Sequence, residues 1–257
     1  MMNDEKSGIH VGTSGWHYEH WQNVFYPEEL SGRDRLSYYA GRMNTVEINN
    51  SFYQLPAPET LARWRKSVPR HFLFAVKANR YITHMKKLND TQKALSAFLQ
   101  RIDSLEESLG PILFQLPPRW GFNPVRFQAF LKLLPADYRY AFELPDRSWQ
   151  NPEAYELMKK FSVAFCIYDL DGFLTPKTIT TEFIYIRLHG PDAPYEGNYS
   201  QSILSGWAGA FSSWSNQGKE IFCYFDNDQA GYAPQNALSL YRMVTKNQPE
   251  KKPSVDI

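Results

Sequence analysis

The sequence predicts a single-domain α/β protein of the (β/α)8 TIM-barrel class, and three observations carry that prediction. Eight short apolar runs recur along the chain, amphipathic helical patterns separate most of them, and most runs end in a charged or amide residue. Eight strands with helical crossovers are what such a barrel needs, and its active site lies at the strands' C-terminal ends. The length of 257 residues agrees with the roughly 250 typical of one barrel.

The elements follow in order. Residues 10–15 form the first run, and Pro27-Glu28-Glu29 suits a helical first turn, where proline loses no hydrogen bond and acids favour the positive dipole end. Residues 46–53 form the second run, and Pro58-Glu59 opens the next helix in the same way. After the third run, 72–79, Asn89-Asp90 can cap a long helical pattern reaching Ser108, with Gly110 placed to end it. Runs 112–117 and 140–146 are followed by Asn123-Pro124 and Asn151-Pro152, each a cap followed by proline. Run 163–169 leads into 171–181, which holds Gly172 and Pro176 and reads as a loop or short irregular connection. Runs 183–190 and 221–228 complete the set, and Ala233-Pro234 begins the last helix. Residues 1–8 and 248–257 read as polar tails around one barrel domain, 9–247.

Alternate strand residues face a barrel's lumen and the others pack under its helices. The aliphatic and aromatic parity (Phe72, Phe74, Val76; Ile112, Phe114, Leu116; Ile184, Ile186, Leu188) belongs outside. The small-or-polar parity belongs inside, and sends Glu47, Asn49, Lys77, Gln115, Glu143, Arg187, His189 and Asp226 toward one mouth. Buried ionised groups cost several kcal/mol each unless paired. This set is therefore either an internal salt-bridge layer or a functional site, and mixed charges at several strand ends favour the second.

Composition narrows the function classes. Lys and Arg number 28 against 27 Asp and Glu, a net charge of +1, which gives no support for a general nucleic-acid or membrane-surface binder. No apolar run approaches a membrane span, and residues 1–8 lack the apolar core of a signal peptide. The two cysteines, Cys166 and Cys223, fall inside strands and read as core thiols. A cytoplasmic protein is the plain expectation.

Within the polar set, Glu47, Glu143 and Asp226 are candidate acids or bases, because crowded carboxylates push one another's pKa values apart. His189 would assist. The same groups could ligate a divalent metal with Asn49, but spacing shows no His-x-x-x-His or Cys-x-x-Cys pattern. The sequence assigns no metal and no cofactor. Lys77, Arg187 and Arg147 supply positive charge for a carboxylate or phosphate, and a desolvated lysine can serve as base or nucleophile. Gly12-Thr13-Ser14-Gly15-Trp16 could bind phosphate or sugar hydroxyls through Thr13, Ser14 and Trp16, or simply turn the chain. Aromatic loops around Trp16, Phe52-Tyr53 and Tyr195 could stack a ligand or close the barrel end.

These segments resemble the YecE-like proteins, the domain of unknown function 72 family. The resemblance lies in Gly12-Thr13-Ser14-Gly15-Trp16, Thr45 through Tyr53, Phe74-Ala75-Val76-Lys77, Arg80-Tyr81-Ile82-Thr83-His84, and Gly110 through Pro118. It continues through Glu143, Ser148-Trp149, Arg187-Leu188-His189-Gly190, Tyr195-Glu196-Gly197 and Asp226-Asn227-Asp228, so it spans about residues 9 to 245. It implies a TIM-type barrel and supplies no reaction. It adds Arg80, His84 and Asn227 to the candidate binding residues. Two departures stand out: Leu144-Pro145-Asp146-Arg147 replaces the family's usual Arg-His, and Asp226 stands where asparagine is frequent. The expectation is an enzyme for a small, polar, anionic substrate, by isomerase, lyase or hydrolase chemistry. Metal-dependent nucleic-acid processing is possible but less favoured, and a non-catalytic ligand-binding or interaction module is the third alternative.

Overall fold

A computed structural model describes residues 8–246. The strands are β1 (Ile9–Thr13), β2 (Thr45–Ile48), β3 (Leu73–Lys77), β4 (Leu109–Gln115), β5 (Tyr140–Glu143), β6 (Ala164–Leu170), β7 (Phe173–Leu174), β8 (Phe183–Leu188) and β9 (Glu220–Phe225). Seven α-helices accompany them: α1 (Arg35–Ala40), α2 (Pro58–Lys66), α3 (Gln92–Ile102), α4 (Pro124–Leu131), α5 (Pro152–Lys160), α6 (Gln201–Asn216) and α7 (Tyr232–Lys246). Eight of the strands run parallel in the order β1-β9-β8-β6-β5-β4-β3-β2, a nearly closed barrel; β7 lies off it, antiparallel to β6. The tails 1–8 and 248–257 fall outside the described residues except for Gly8.

Period two divides the core in two. Phe74, Val76, Ile112, Phe114, Phe142, Ile184, Ile186 and Cys223 belong to the layer between strands and helices. Leu73, Ala75, Leu113, Ala141, Cys166, Tyr185 and Tyr224 form a separate lumenal cluster. At the barrel's base, His10 stacks on Phe222, and Glu220 joins His10 at 3.0 Å to Arg139 at 2.7 Å. Fully burying a large apolar side chain is worth about 1.5–3 kcal/mol, so the filled lumen is a stabilising core rather than a channel.

The ladder is continuous except where β1 meets β2. Only the Ser14–Glu47 bridge, with Gly15 N–H donating to the Glu47 carbonyl at 2.9 Å, joins them as backbone. Side chains do the rest. Asn44 accepts from Val11 N–H at 3.0 Å and donates to the Ile9 carbonyl at 2.9 Å. The Tyr39 hydroxyl accepts from Thr13 N–H at 2.8 Å and donates to the Thr45 carbonyl at 3.1 Å. Gly12 permits this approach, since a Cβ there would lie 2.1 Å from the Thr45 carbonyl oxygen.

Three local expectations are corrected. Pro27-Glu28-Glu29 forms only a turn, and α1 starts at Arg35. The long pattern starts at Gln92 after Thr91, ends at Ile102, and gives way to a tight 3-10 stretch kinked at Glu106, so Gly110 sits inside β4. The second run is strand only through Ile48, because Asn50–Phe52 curls into a 3-10 turn. Elsewhere the caps act as expected: Asn123 accepts from Arg126 N–H at 2.9 Å, and Asn151 from Ala154 N–H at 3.0 Å. Between β6 and β8 the predicted helix-free connection is a tight hairpin. Asp171 (φ 53°) and Gly172 (φ 70°) supply the two left-handed residues of its turn.

Candidate active site at the barrel mouth

Seven strand ends deliver polar side chains into the C-terminal mouth, and Arg187 stands at their centre, 1% exposed. Its Nη1 donates to Glu143 Oε2 at 2.9 Å. Its Nη2 donates to Glu47 Oε1 at 2.8 Å and Asp226 Oδ2 at 3.0 Å, with Ser14 Oγ at 3.1 Å. Glu47, wholly buried, also accepts from Ser14 Oγ at 2.7 Å and from the Tyr185 hydroxyl at 2.6 Å. Glu143 Oε1 accepts from Gln115 Nε2 at 2.7 Å and lies 3.2 Å from His189 Nε2. The other ring nitrogen of His189 is 3.1 Å from Asp226 Oδ2.

Each position follows from strand geometry. Glu47, Lys77, Gln115, Glu143 and Arg187 occupy the lumenal parity of β2, β3, β4, β5 and β8, while Ser14, His189 and Asp226 extend the same alternation just past β1, β8 and β9. Burial opposes ionisation of Glu143, but Arg187, His189 and Lys77 outweigh it and hold its carboxyl well below the usual range. Asp226 is likewise lowered, against burial, by Arg187 and His189. For His189, burial favours the neutral ring, but Glu143 and the Asp226 hydrogen bond raise its pKa. Lys77 is lowered by burial and by Arg187. Its ammonium lies 4.7 Å from the Phe52 ring and has no carboxylate at ion-pair distance among the described residues.

The remaining sequence-predicted residues are placed around this network rather than in it. Arg80 and His84 follow β3 at the rim, Arg80 over the Tyr53 ring at 5.8 Å and His84 edge-on to Phe52 at 5.0 Å. Tyr195, half exposed, caps the mouth with its ring 5.6 Å from His189. Thr13 turns into the β1–β2 seam, where its hydroxyl donates to the Gly15 carbonyl at 2.6 Å. Trp16 packs edge-on against Trp64 in the outer layer. Asn49 lines a neighbouring cleft. Asn227 is buried and donates to the Gly197 carbonyl and to Asn236, so it ties down a loop. Arg147 is exposed over Phe173 at 4.9 Å, and Asp146 caps the turn before Trp149 by accepting from Ser148.

Sequence reasoning missed Tyr185. It shares Arg187's parity, but a strand tyrosine reads as core until a carboxylate is found at its hydroxyl. Tyr18, which belongs to the aromatic loop with Trp16, donates its hydroxyl to the Ser14 carbonyl at 2.6 Å. Among the described residues no three His, Cys, Asp or Glu side chains are arranged to hold one metal ion. The Arg187 guanidinium occupies the space between the carboxylates where a cation would sit. Among those residues, too, no helix is long and apolar enough to cross a membrane.

Comparison with known proteins places this geometry among others. Residues 10–256 match the family described as "Protein of unknown function DUF72". The UPF0759 protein YunF of Bacillus subtilis is 25% identical over 92% of this chain and 94% of its own length. YecE of Escherichia coli is 31% identical over 53% of this chain and 48% of its own. A DUF72 family crystal structure from Thermotoga maritima superposes with a TM-score of 0.84 at 28% identity, covering 92% of this chain and 99% of that one.

Proposed function

Since this chain belongs to the DUF72 family, whose description assigns no reaction, we propose that it is an enzyme acting on a small, polar, anionic substrate at the barrel mouth. One observation carries the reading. Both terminal nitrogens of Arg187 are engaged by Glu47, Glu143 and Asp226, whereas the Lys77 ammonium beside it has no ion-pair partner among the described residues. A half-buried cation with no carboxylate in direct contact suits a carboxylate or phosphate, or, once deprotonated, a carbonyl carbon. Arg80 adds positive charge on the same side of the rim, while burial and the charges of Lys77 and Arg80 hold His84 toward its neutral form. The pKa of Lys77 is lowered by its surroundings, which increases the fraction available as a neutral amine near neutral pH.

Proton transfer falls to the His189–Asp226 pair in this reading, with Tyr195 closing over the ligand. Glu47 and Glu143 anchor Arg187, because every oxygen of both already accepts a hydrogen bond. Two free, buried cysteines support a reducing, cytoplasmic setting. The test is a screen of phosphorylated sugars and small carboxylates by calorimetry against wild type, Lys77→Met and Lys77→Arg. Loss of binding in Lys77→Met, with partial retention in Lys77→Arg and unchanged melting of both, is expected. A verified mouth ligand that binds Lys77→Met as tightly as wild type would remove Lys77 from the site.

A further inference from the structure

Beside the mouth, outside the wall formed by β1 and β2, lies a second cavity of about 910 Å3. The loop after β1, the start of α1, the end of β2 and one face of α2 enclose it. Its apolar side is Trp16 and the half-buried Trp64, set edge to face at 4.7 Å. Its rim carries Arg33, Arg63 and His17, and among the described residues no acidic side chain lines it. Arg33 and Arg63 are exposed and have no carboxylate at ion-pair distance among the described residues, while His17 lies 3.9 Å from Glu19. Asn49 closes the inner end: its carboxamide makes no hydrogen bond, and its Oδ1 is buried without a partner. That oxygen is turned away from the open space, whereas Nδ2 is not buried and has no acceptor among the described residues, so the cleft presents a free amide donor.

We propose that this cleft is a binding site for a nucleoside monophosphate. A flat heteroaromatic ring packs against Trp64, a ring nitrogen accepts from Asn49 Nδ2, and the phosphate is received by Arg33 and Arg63. Each part answers one feature: aromatic rings favour stacked or edge-on partners, an unpaired amide donor suits a ring acceptor, and guanidinium forks match phosphate oxygens. The volume lies within the range of about 300–1,000 Å3 that small-molecule sites occupy. The site uses none of the groups proposed for chemistry at the mouth and stands or falls independently of them.

Calorimetric titration with AMP, adenosine and inorganic phosphate tests it on the full chain. Wild type is expected to bind AMP saturably at one site, with adenosine and phosphate each weaker by about tenfold or more, since each lacks one half of the recognition. The Arg33→Ala/Arg63→Ala double variant, at exposed positions that leave the core untouched, should lose about tenfold or more in AMP affinity and most of its salt dependence. Asn49→Leu and Trp64→Ala should each weaken AMP, and Lys77→Met should leave its affinity within about twofold of wild type. Absence of saturable binding up to about 10 mM AMP overturns the proposal. So does unchanged affinity in the double arginine variant, adenosine binding as tightly as AMP, or loss of AMP binding in Lys77→Met, which would move the ligand to the mouth.

Discussion

Arg187 is the residue whose removal should be felt most. Two of its three carboxylate partners, Glu47 and Glu143, are buried with it, and breaking one side of a buried pair leaves an uncompensated charge that costs about 3–5 kcal/mol. Arg187→Met is therefore expected to lose about that much stability in urea denaturation, and Arg187→Lys to recover only part, because an ammonium cannot fork to Glu143 and Glu47 together. A loss below about 1 kcal/mol in Arg187→Met would mean that the carboxylates take up protons instead. Asp228 offers a smaller test of opposite sign. Burial pushes its carboxyl from 3.8 up to about 6, against the pull of Trp21 and His20. A raised acid favours folding fully while it is protonated in both states, and that contribution is lost as pH rises through about 6. Asp228→Asn should therefore raise the melting temperature above pH 6 relative to wild type and leave it unchanged near pH 3.8. Equal shifts at both values would refute the titration argument.

The elements were legible in proportion to how local their causes are. The period-two runs and the Asn-Pro caps rest on neighbouring residues, so the strands and the starts of α4, α5 and α7 follow from the sequence closely. Pro27 and Asn89-Asp90 carry similar signals, yet tertiary packing placed the helix starts at Arg35 and Gln92. The seam between β1 and β2 was not legible at all. Asn44 and Tyr39 replace ladder bonds with side chains from outside both strands, and no periodicity records that. The seam carries its own prediction. Gly12→Ala would drive a methyl into the Thr45 carbonyl, and Tyr39→Phe would orphan the buried Thr13 N–H. Each should cost about 1–3 kcal/mol and raise hydrogen exchange selectively at β1 and β2 amides. Faster exchange spread evenly over β4 and β5 would contradict a local seam.

Across the whole molecule the mouth cluster was readable as a set because parity alone directs Glu47, Lys77, Gln115, Glu143 and Arg187 inward. Who pairs with whom was not readable, since partners lie up to 173 residues apart, as Ser14 and Arg187 do. The pairing fixes a pH profile. Glu143 and Asp226, both lowered, stabilise the fold fully above their ordinary values of 4.5 and 3.8, and that stability is lost as pH falls through their folded values. His189, raised, contributes fully below 6.5 and loses its contribution as pH climbs past its folded value. The cluster's support should thus be greatest between 4.5 and 6.5. Melting curves of wild type and His189→Asn should diverge most within that window and converge in alkali; a constant difference at all pH values would show that His189 acts through packing alone. The seam gives this electrostatic layer a mechanical side. The barrel wall is a cylinder slit along one line and laced by a few stitches, and the topmost stitch is Ser14 against Glu47. Any shear along the slit slides that stitch, and Arg187 is bonded to both of its ends. Elastic strain in the wall and displacement of the buried guanidinium are one degree of freedom, so a load on the loops after β1 or β2 is delivered to the centre of the mouth.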